Sequence, residues 1–392
     1  MGSASPLMLL GACFVLLSIP WLVVISVAGL VWHFSLSWAY KTAPARWLAA
    51  RANAVARRLG AAMLADARDS PYLLPAVGLG VFTPSLFVLS WWWQSGQECF
   101  SWSAVLAYHV LIDGPNSEFF AQTSILVHKE GHAPKGLFRG RYALLNRFFG
   151  NFLGIFYGHV PENYPMGHLR IHHKYDNSPD DLTSTVDYDR SRARSFLSYL
   201  PRFFLFWTGI SIARHHYRRG RIAEAMRALA GAVLYFSLLA LVMGFDLRFG
   251  CAYLLLPHLF SGLFLAAATY TWHAWADPRD PGNIYKNTIT IVRGQRNTYN
   301  EDFHLEHHVR PQAHWTEYPR SYHEHRREYA ANRAIVFEDT HVLELFVWLL
   351  SGAYAKLADH MLDLSGDMSQ ADKVALLKER LQPMIRAGSA GS

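Results

Sequence analysis

Apolar and polar positions fall into long blocks along this chain, not into the short periods of a soluble fold. Residues 7–32 are apolar and nearly uncharged, enough to cross a bilayer whose hydrocarbon core is ~30 Å thick. No basic stretch precedes the block and its apolar run is long, so it predicts a first span and not a cleaved leader. Residues 71–93 predict a second span, closing on Trp91-Trp92-Trp93, side chains suited to the membrane–water boundary. A third runs from about Trp102 to Val127 and contains Asp113-Gly114-Pro115, which predicts a kink or break. Residues 224–243 and 249–272 predict a fourth and fifth, joined by a turn at Gly244 to Arg248. Two shorter apolar runs, 148–160 and 196–212, are interrupted by Gly and Pro and predict membrane-surface or re-entrant pieces. The run 341–355 is amphipathic and too short to span.

The polar blocks orient these spans. Residues 41–70 carry Lys41, Arg46, Arg51, Arg57, Arg58 and Arg68 against only Asp66 and Asp69, at a spacing that predicts an amphipathic helix on the cytosolic membrane surface. Basic loops face the cytosol. That rule puts the N-terminus and the loops 94–101 and 244–248 outside, and 128–222 and everything after His273 inside. The expected fold class is all-α: a polytopic membrane helical bundle, with a four-span core, an extra N-terminal span and a histidine-rich cytosolic helical cap. The expected divisions are an N-terminal transmembrane segment 1–40, a basic amphipathic segment 41–70, a main membrane domain 71–355 and a C-terminal cytosolic tail 356–392. Composition agrees: 51% of the 392 residues are hydrophobic and 17% charged, where soluble proteins are nearer a quarter charged. The net charge of +7 is read as cytosolic loops and not as a nucleic-acid surface. Cys13, Cys99 and Cys251 form no CxxC pair, which excludes a fused rubredoxin-type or zinc-ribbon module.

Histidine changes the picture most. Three short windows, His128-Lys129-Glu130-Gly131-His132, His168-Leu169-Arg170-Ile171-His172-His173 and Phe303-His304-Leu305-Glu306-His307-His308-Val309-Arg310-Pro311, hold eight of the chain's 20 histidines. On a helix, i, i+3 and i+4 share one side, so such rings can point at one metal centre. The first window is no zinc-protease motif, because Lys129 stands where that mechanism needs its general-base Glu. Eight nitrogens exceed what one tetrahedral zinc uses and suit two metal ions, without naming the metal. His273, at the cytosolic end of the fifth span in Thr271-Trp272-His273-Ala274-Trp275, is a ninth candidate. Asp180 and Asp181 are candidates for holding ligand rings from behind, or are loop aspartates before a helix. Glu130 and Glu306 serve similarly or face water. Glu301/His304 and Glu338/His341 match the spacing of carboxylate di-iron bundles, but the inward Glu residues on other spans are missing. His215-His216 with Arg214, Arg218 and Arg219 reads as a lipid-headgroup patch. His314, His323 and His325 read as surface residues.

The order HxxxH, HxxxHH, HxxHH, split by two late spans, resembles the membrane fatty acid desaturase and alkane hydroxylase superfamily over about 100–310. The middle box, continuing to Pro179-Asp180-Asp181, is similar to alkane hydroxylases; the third looks more like acyl desaturases. The resemblance implies two iron ions held by His128, His132, His168, His172, His173, His304, His307 and His308, with His273 near the superfamily's additional histidine. It implies an O2-dependent oxidase acting on unactivated C–H bonds of a long acyl or alkyl chain. Desaturation is the first reading; hydroxylation or oxidative decarboxylation on the same scaffold is the alternative. Electrons would come from a separate ferredoxin, rubredoxin or cytochrome b5 system, substrate from the membrane, and no nucleic acid is involved. The site would lie on the cytosolic side, in a bacterial inner membrane in preference to the endoplasmic reticulum. A remoter reading is a histidine-rich metal transporter or zinc-binding membrane protein. Transport sites lie near the bilayer midplane, however, and the spans carry few ionisable groups beyond Asp113 and Glu118.

Overall fold

The computed structural model describes residues 23–36, 41–133 and 135–384. These divide between two compact units, Gly167–Trp207 with Gly262–Ser392 and Ala12–Met166 with Thr208–Ser261. Both are helical; the described residues include one sheet, of two strands.

The second of these units holds most of the long apolar helices. Three helices are long and apolar enough to cross a membrane: Ala67–Ser95, Ile222–Phe245 and Leu247–Trp272, the last running on past Ser261. A fourth is added if Ala193–Trp207 and Ile210–Arg218 count as one broken span. The expected spans 71–93, 224–243 and 249–272 lie within these. The expected third span breaks where its sequence says it should. Trp102–Asp113 stops at Gly114, whose φ of 80° leaves the helical region, and Glu118–Gly131 starts after Asn116 and Ser117 (φ 55° and 59°). Neither half is long enough to cross alone. Of the expected first span, only Val23–Leu36 is described, as a helix; residues 7–22 lie outside the described residues. The basic block forms the helix Ala43–Met63, capped by Thr42 and ended before Leu64. It buries Ala56 and Gly60 and exposes Trp47, Leu48, Val55 and Leu59, the surface an amphipathic membrane helix presents.

Several polar side chains inside this unit bond across from one segment to another. Gln94 donates to Tyr253 Oη (2.9 Å) and to the Ser101 carbonyl (2.9 Å). His109 bonds the Ala252 carbonyl (2.9 Å) and His258 that of Gly158 (2.8 Å). Val77, Val81, Val88, Trp92, Val233, Leu241 and Phe245 remain exposed on the long helices. Exposed large apolar side chains on this scale mark a lipid-facing surface.

The other unit is built from shorter helices. In Ala193–Trp207, Phe196, Tyr199, Leu200, Phe203, Phe206 and Trp207 are buried, a 3.6-residue stripe. Thr290–Val292 and Val336–Glu338 pair in parallel. Around them Phe303, Leu305, Tyr318, Tyr322 and Tyr329 form a core that seats the third histidine window. Capping boxes open Val342–Leu350 (His341 with Glu344) and Gln370–Arg380 (Ser369 with Asp372). The segment read as a tail thus carries the helices Tyr354–His360 and Gln370–Arg380 and buries Leu357, Leu377 and Leu381.

Candidate metal centre

The third histidine window forms the α-helix His304–Val309, entered from left-handed backbone at Tyr299 and Asn300. On an α-helix, i and i+4 lie on one side. His304 and His308 accordingly face each other, ring centroids 4.8 Å apart. His307 turns to a different group, its Nε2 2.9 Å from that of His173. The middle window behaves otherwise because Tyr164–His172 is a π-helix, bonded i to i+5. Here His168 and His173, five apart, meet Nε2 to Nε2 at 3.0 Å. His172 joins the other group, its Nε2 3.2 Å from that of His273.

Seven imidazoles of one unit therefore sort into two sets. One ring nitrogen from each of His172, His273, His304 and His308 lies within 4.8 Å of the others, and all four residues are buried. His168, His173 and His307 meet the same limit. The sets adjoin: the rings of His173 and His308 are 4.5 Å apart, and those of His168 and His172 5.1 Å. In the other unit, His128 and His132 stand one turn apart at the end of Glu118–Gly131, ring centroids 4.9 Å apart, with Tyr164 against His128.

The outer nitrogens show what the inner ones are for. His172 Nδ1 lies 2.7 Å from Asp181 Oδ2 and 3.1 Å from Thr183 Oγ1. His273 Nδ1 lies 2.8 Å from the Asn287 carbonyl. His308 Nδ1 lies 2.9 Å from Asp176 Oδ1. Burial opposes ionisation of Asp181, but the His172 imidazole and the Thr183 N–H outweigh it and hold the carboxyl below its ordinary range. Asp181 and the Asn287 carbonyl are therefore acceptors only, so His172 and His273 must donate from Nδ1. Burial holds His273 well below its ordinary pKa, which favours the neutral ring. Its Nε2 then presents a lone pair to His172 Nε2 at 3.2 Å, an approach that needs a cation between the two rings. A proton on His172 would serve that pair: burial lowers the His172 pKa, yet Asp181 more than reverses this and raises it. One proton cannot serve four converging rings. His308, also pushed down by burial, has a buried Nε2 without a hydrogen-bond partner. A metal ion fits this donor set, and acceptors behind the rings are the usual arrangement around one. Trp272 stacks on His304 (4.6 Å, 24°), and Tyr318 Oη lies 3.0 Å from His307 Nδ1.

Several sequence expectations change here. Asp181 holds His172 from behind, but Asp180 is exposed. Glu306 does not face water: it is fully buried, 3.1 Å from His325 Nδ1. His325 is therefore no simple surface residue. His215 and His216 are no headgroup patch, since both are buried: His216 bonds the Met166 carbonyl (2.9 Å) and His215 contacts Arg219 (3.2 Å). Glu130 is also buried and accepts the Gly150 N–H at 2.7 Å. Asp176, Thr183, Asn287 and Tyr318 went unnoticed in the sequence. Asp176 had a signal, a carboxylate three residues past the histidine pair. Asn287 had none.

The family model described as Fatty acid desaturase matches residues 100–340, over half of the chain and spanning all nine histidines. The chain belongs to the fatty acid desaturase family. No curated protein and no solved structure matches it. Membership carries a desaturase-like oxidase activity, and with the long apolar helices it makes the chain an integral membrane protein.

Proposed function

We propose that this protein is an O2-dependent di-iron desaturase acting on the acyl chain of a membrane lipid or fatty acid. The observation that carries the reading is the set of four buried imidazoles, three of them backed at Nδ1 by Asp181, Asn287 and Asp176, adjoining a second set of three. His172, His273, His304 and His308 would hold one iron, and His168, His173 and His307 the other. His128 and His132 complete the ligands on the strength of their box spacing. Imidazole suits iron. Such a centre supplies O2 reduction coupled to removal of hydrogen from an unactivated C–H bond.

This chain's own residues do the positioning. Asp181 and the Asn287 carbonyl fix the tautomers of His172 and His273 so that each Nε2 faces inward, and the Asp176 carboxylate lies beside His308 Nδ1. Trp272 limits tilting of His304, and the burial of His273, His307 and His308 keeps bulk water away. One double bond formed takes two hydrogens from the chain. With one O2, two electrons and two protons it gives two waters. The electrons come from a separate ferredoxin, rubredoxin or cytochrome b5 type donor, on the cytosolic side. The test compares, by mass spectrometry, the lipids of cells with and without the protein, alongside iron per purified chain. Products lighter by two hydrogens with about two irons per chain support the reading. Oxygenated products would make it a hydroxylase, and one tightly held zinc with unchanged lipids would end the oxidase reading.

A further inference from the structure

Arg190 is fully buried, yet no carboxylate pairs with it among the described residues. Burial pulls its guanidinium down to about 10. A lone buried cation is costly unless its donors are well satisfied. Arg190 solves this with backbone oxygen alone. Its Nε donates to the Ala274 carbonyl (2.6 Å) and Nη1 to those of Thr185 (3.0 Å) and Tyr188 (3.4 Å). Nη2 donates to Ala276 (3.0 Å), Arg380 (2.7 Å) and Gln382 (2.8 Å). Six carbonyls thus surround five N–H groups.

Those carbonyls belong to three segments. One follows Asp181, the acceptor behind His172. One directly follows His273. The third is the end of the described chain, beyond the residues 100–340 that the family match covers. Backbone bonds reinforce the join: Arg190 N–H to the Leu381 carbonyl (2.9 Å) and Met384 N–H to that of Val186 (2.7 Å). Thr185 Oγ1 also donates to the His273 carbonyl (2.8 Å), so the two carbonyls that follow the His273 α-carbon, its own and that of Ala274, are both held.

We propose that Arg190 is a positioning residue for the metal centre, and that the C-terminal segment from Gln370 to Met384 is part of that centre's support: it closes the cage that fixes the backbone of His273. The inference rests on His273 being an iron ligand, as in the reading above. Lysine cannot replace the guanidinium, since its three donors sit on one nitrogen and cannot span the three segments.

The test is a double-mutant cycle in the full chain, reading iron per protein and the Mössbauer spectrum after purification in detergent, with thermal melting as a check on folding. Arg190→Lys is expected to lower bound iron at least twofold and to alter the signal of one iron site. His273→Ala is expected to do the same, and the double variant to lose no more than either single one, because both act through one ring. Should Arg190→Lys fail to fold, the chain stopped after Arg380 replaces it. That variant lacks the Leu381 and Gln382 carbonyls and the Met384 N–H but keeps the helix and the guanidinium, and the same iron loss is expected. Full iron content with an unchanged spectrum in a folded variant would overturn the proposal, as would losses that add. Wild-type protein with no iron pair would instead overturn the di-iron reading itself.

Discussion

Both units bury histidines, and they use them differently. In the unit of long apolar helices, His109, His216 and His258 each place a ring nitrogen on one backbone carbonyl, of Ala252, Met166 and Gly158. Each joins one segment to another. In the other unit, His172 and His273 also commit one nitrogen to a distant acceptor, but their second nitrogens converge on those of further histidines. Burial and a satisfied nitrogen are common to both kinds. What separates a proposed ligand from a staple is where the second nitrogen points. Local spacing conveys only part of that: the pair His215-His216 looks as ligand-like in sequence as His172-His173.

The contrast can be broken most severely at a ligand. His307→Ala should lose iron and turnover together, by more than the roughly hundredfold that a ~1 Å misplacement costs. Elemental analysis with product yield measures both, and a variant with full iron and full turnover would strike His307 from the centre. Next is the acceptor behind a ring. Asp181→Asn keeps the shape but removes the charge facing His172, and should lower iron affinity or turnover by about 10–100-fold. Asp180→Asn, its exposed neighbour, is the paired control. A staple comes third. His258→Ala leaves the buried Gly158 carbonyl without its partner and should cost about 1–3 kcal/mol of stability, seen as a lower melting temperature, with iron per chain unchanged. Lost iron at equal stability would dissolve the distinction between the units. The smallest effect belongs to Asp180→Asn, within about 0.5 kcal/mol of wild type and with activity retained.

Much of this was legible in the sequence. The blocks 71–93, 224–243 and 249–272 marked long helices, Gly114 with Pro115 marked the break, and the second and third short windows marked the histidines that gather in one unit. His273 was legible from its place at the end of a span. The partners behind the rings were harder. Asn287 acts mainly through its backbone carbonyl, which no residue type advertises, and Arg190 binds only carbonyls. The inward turn of His215-His216 was hidden because exposed arginines flank the pair, so composition pointed to the surface while the side chains went the other way. Glu306 was ambiguous for a related reason: its partner, His325, lies 19 residues on.

The two kinds of helix under the histidine windows bear on how such sequences drift. A π turn accommodates one residue more than an α turn without moving the chain on either side. In His304–Val309 the rings that meet are four apart; in the window after Tyr164 they are five apart. An insertion that would rotate every later side chain off an α-helical face can be taken up by a π turn as a local widening. On this geometry a box longer or shorter by one residue is expected to bring the same pair of rings together. A pattern search with rigid spacing would then split enzymes that share a centre.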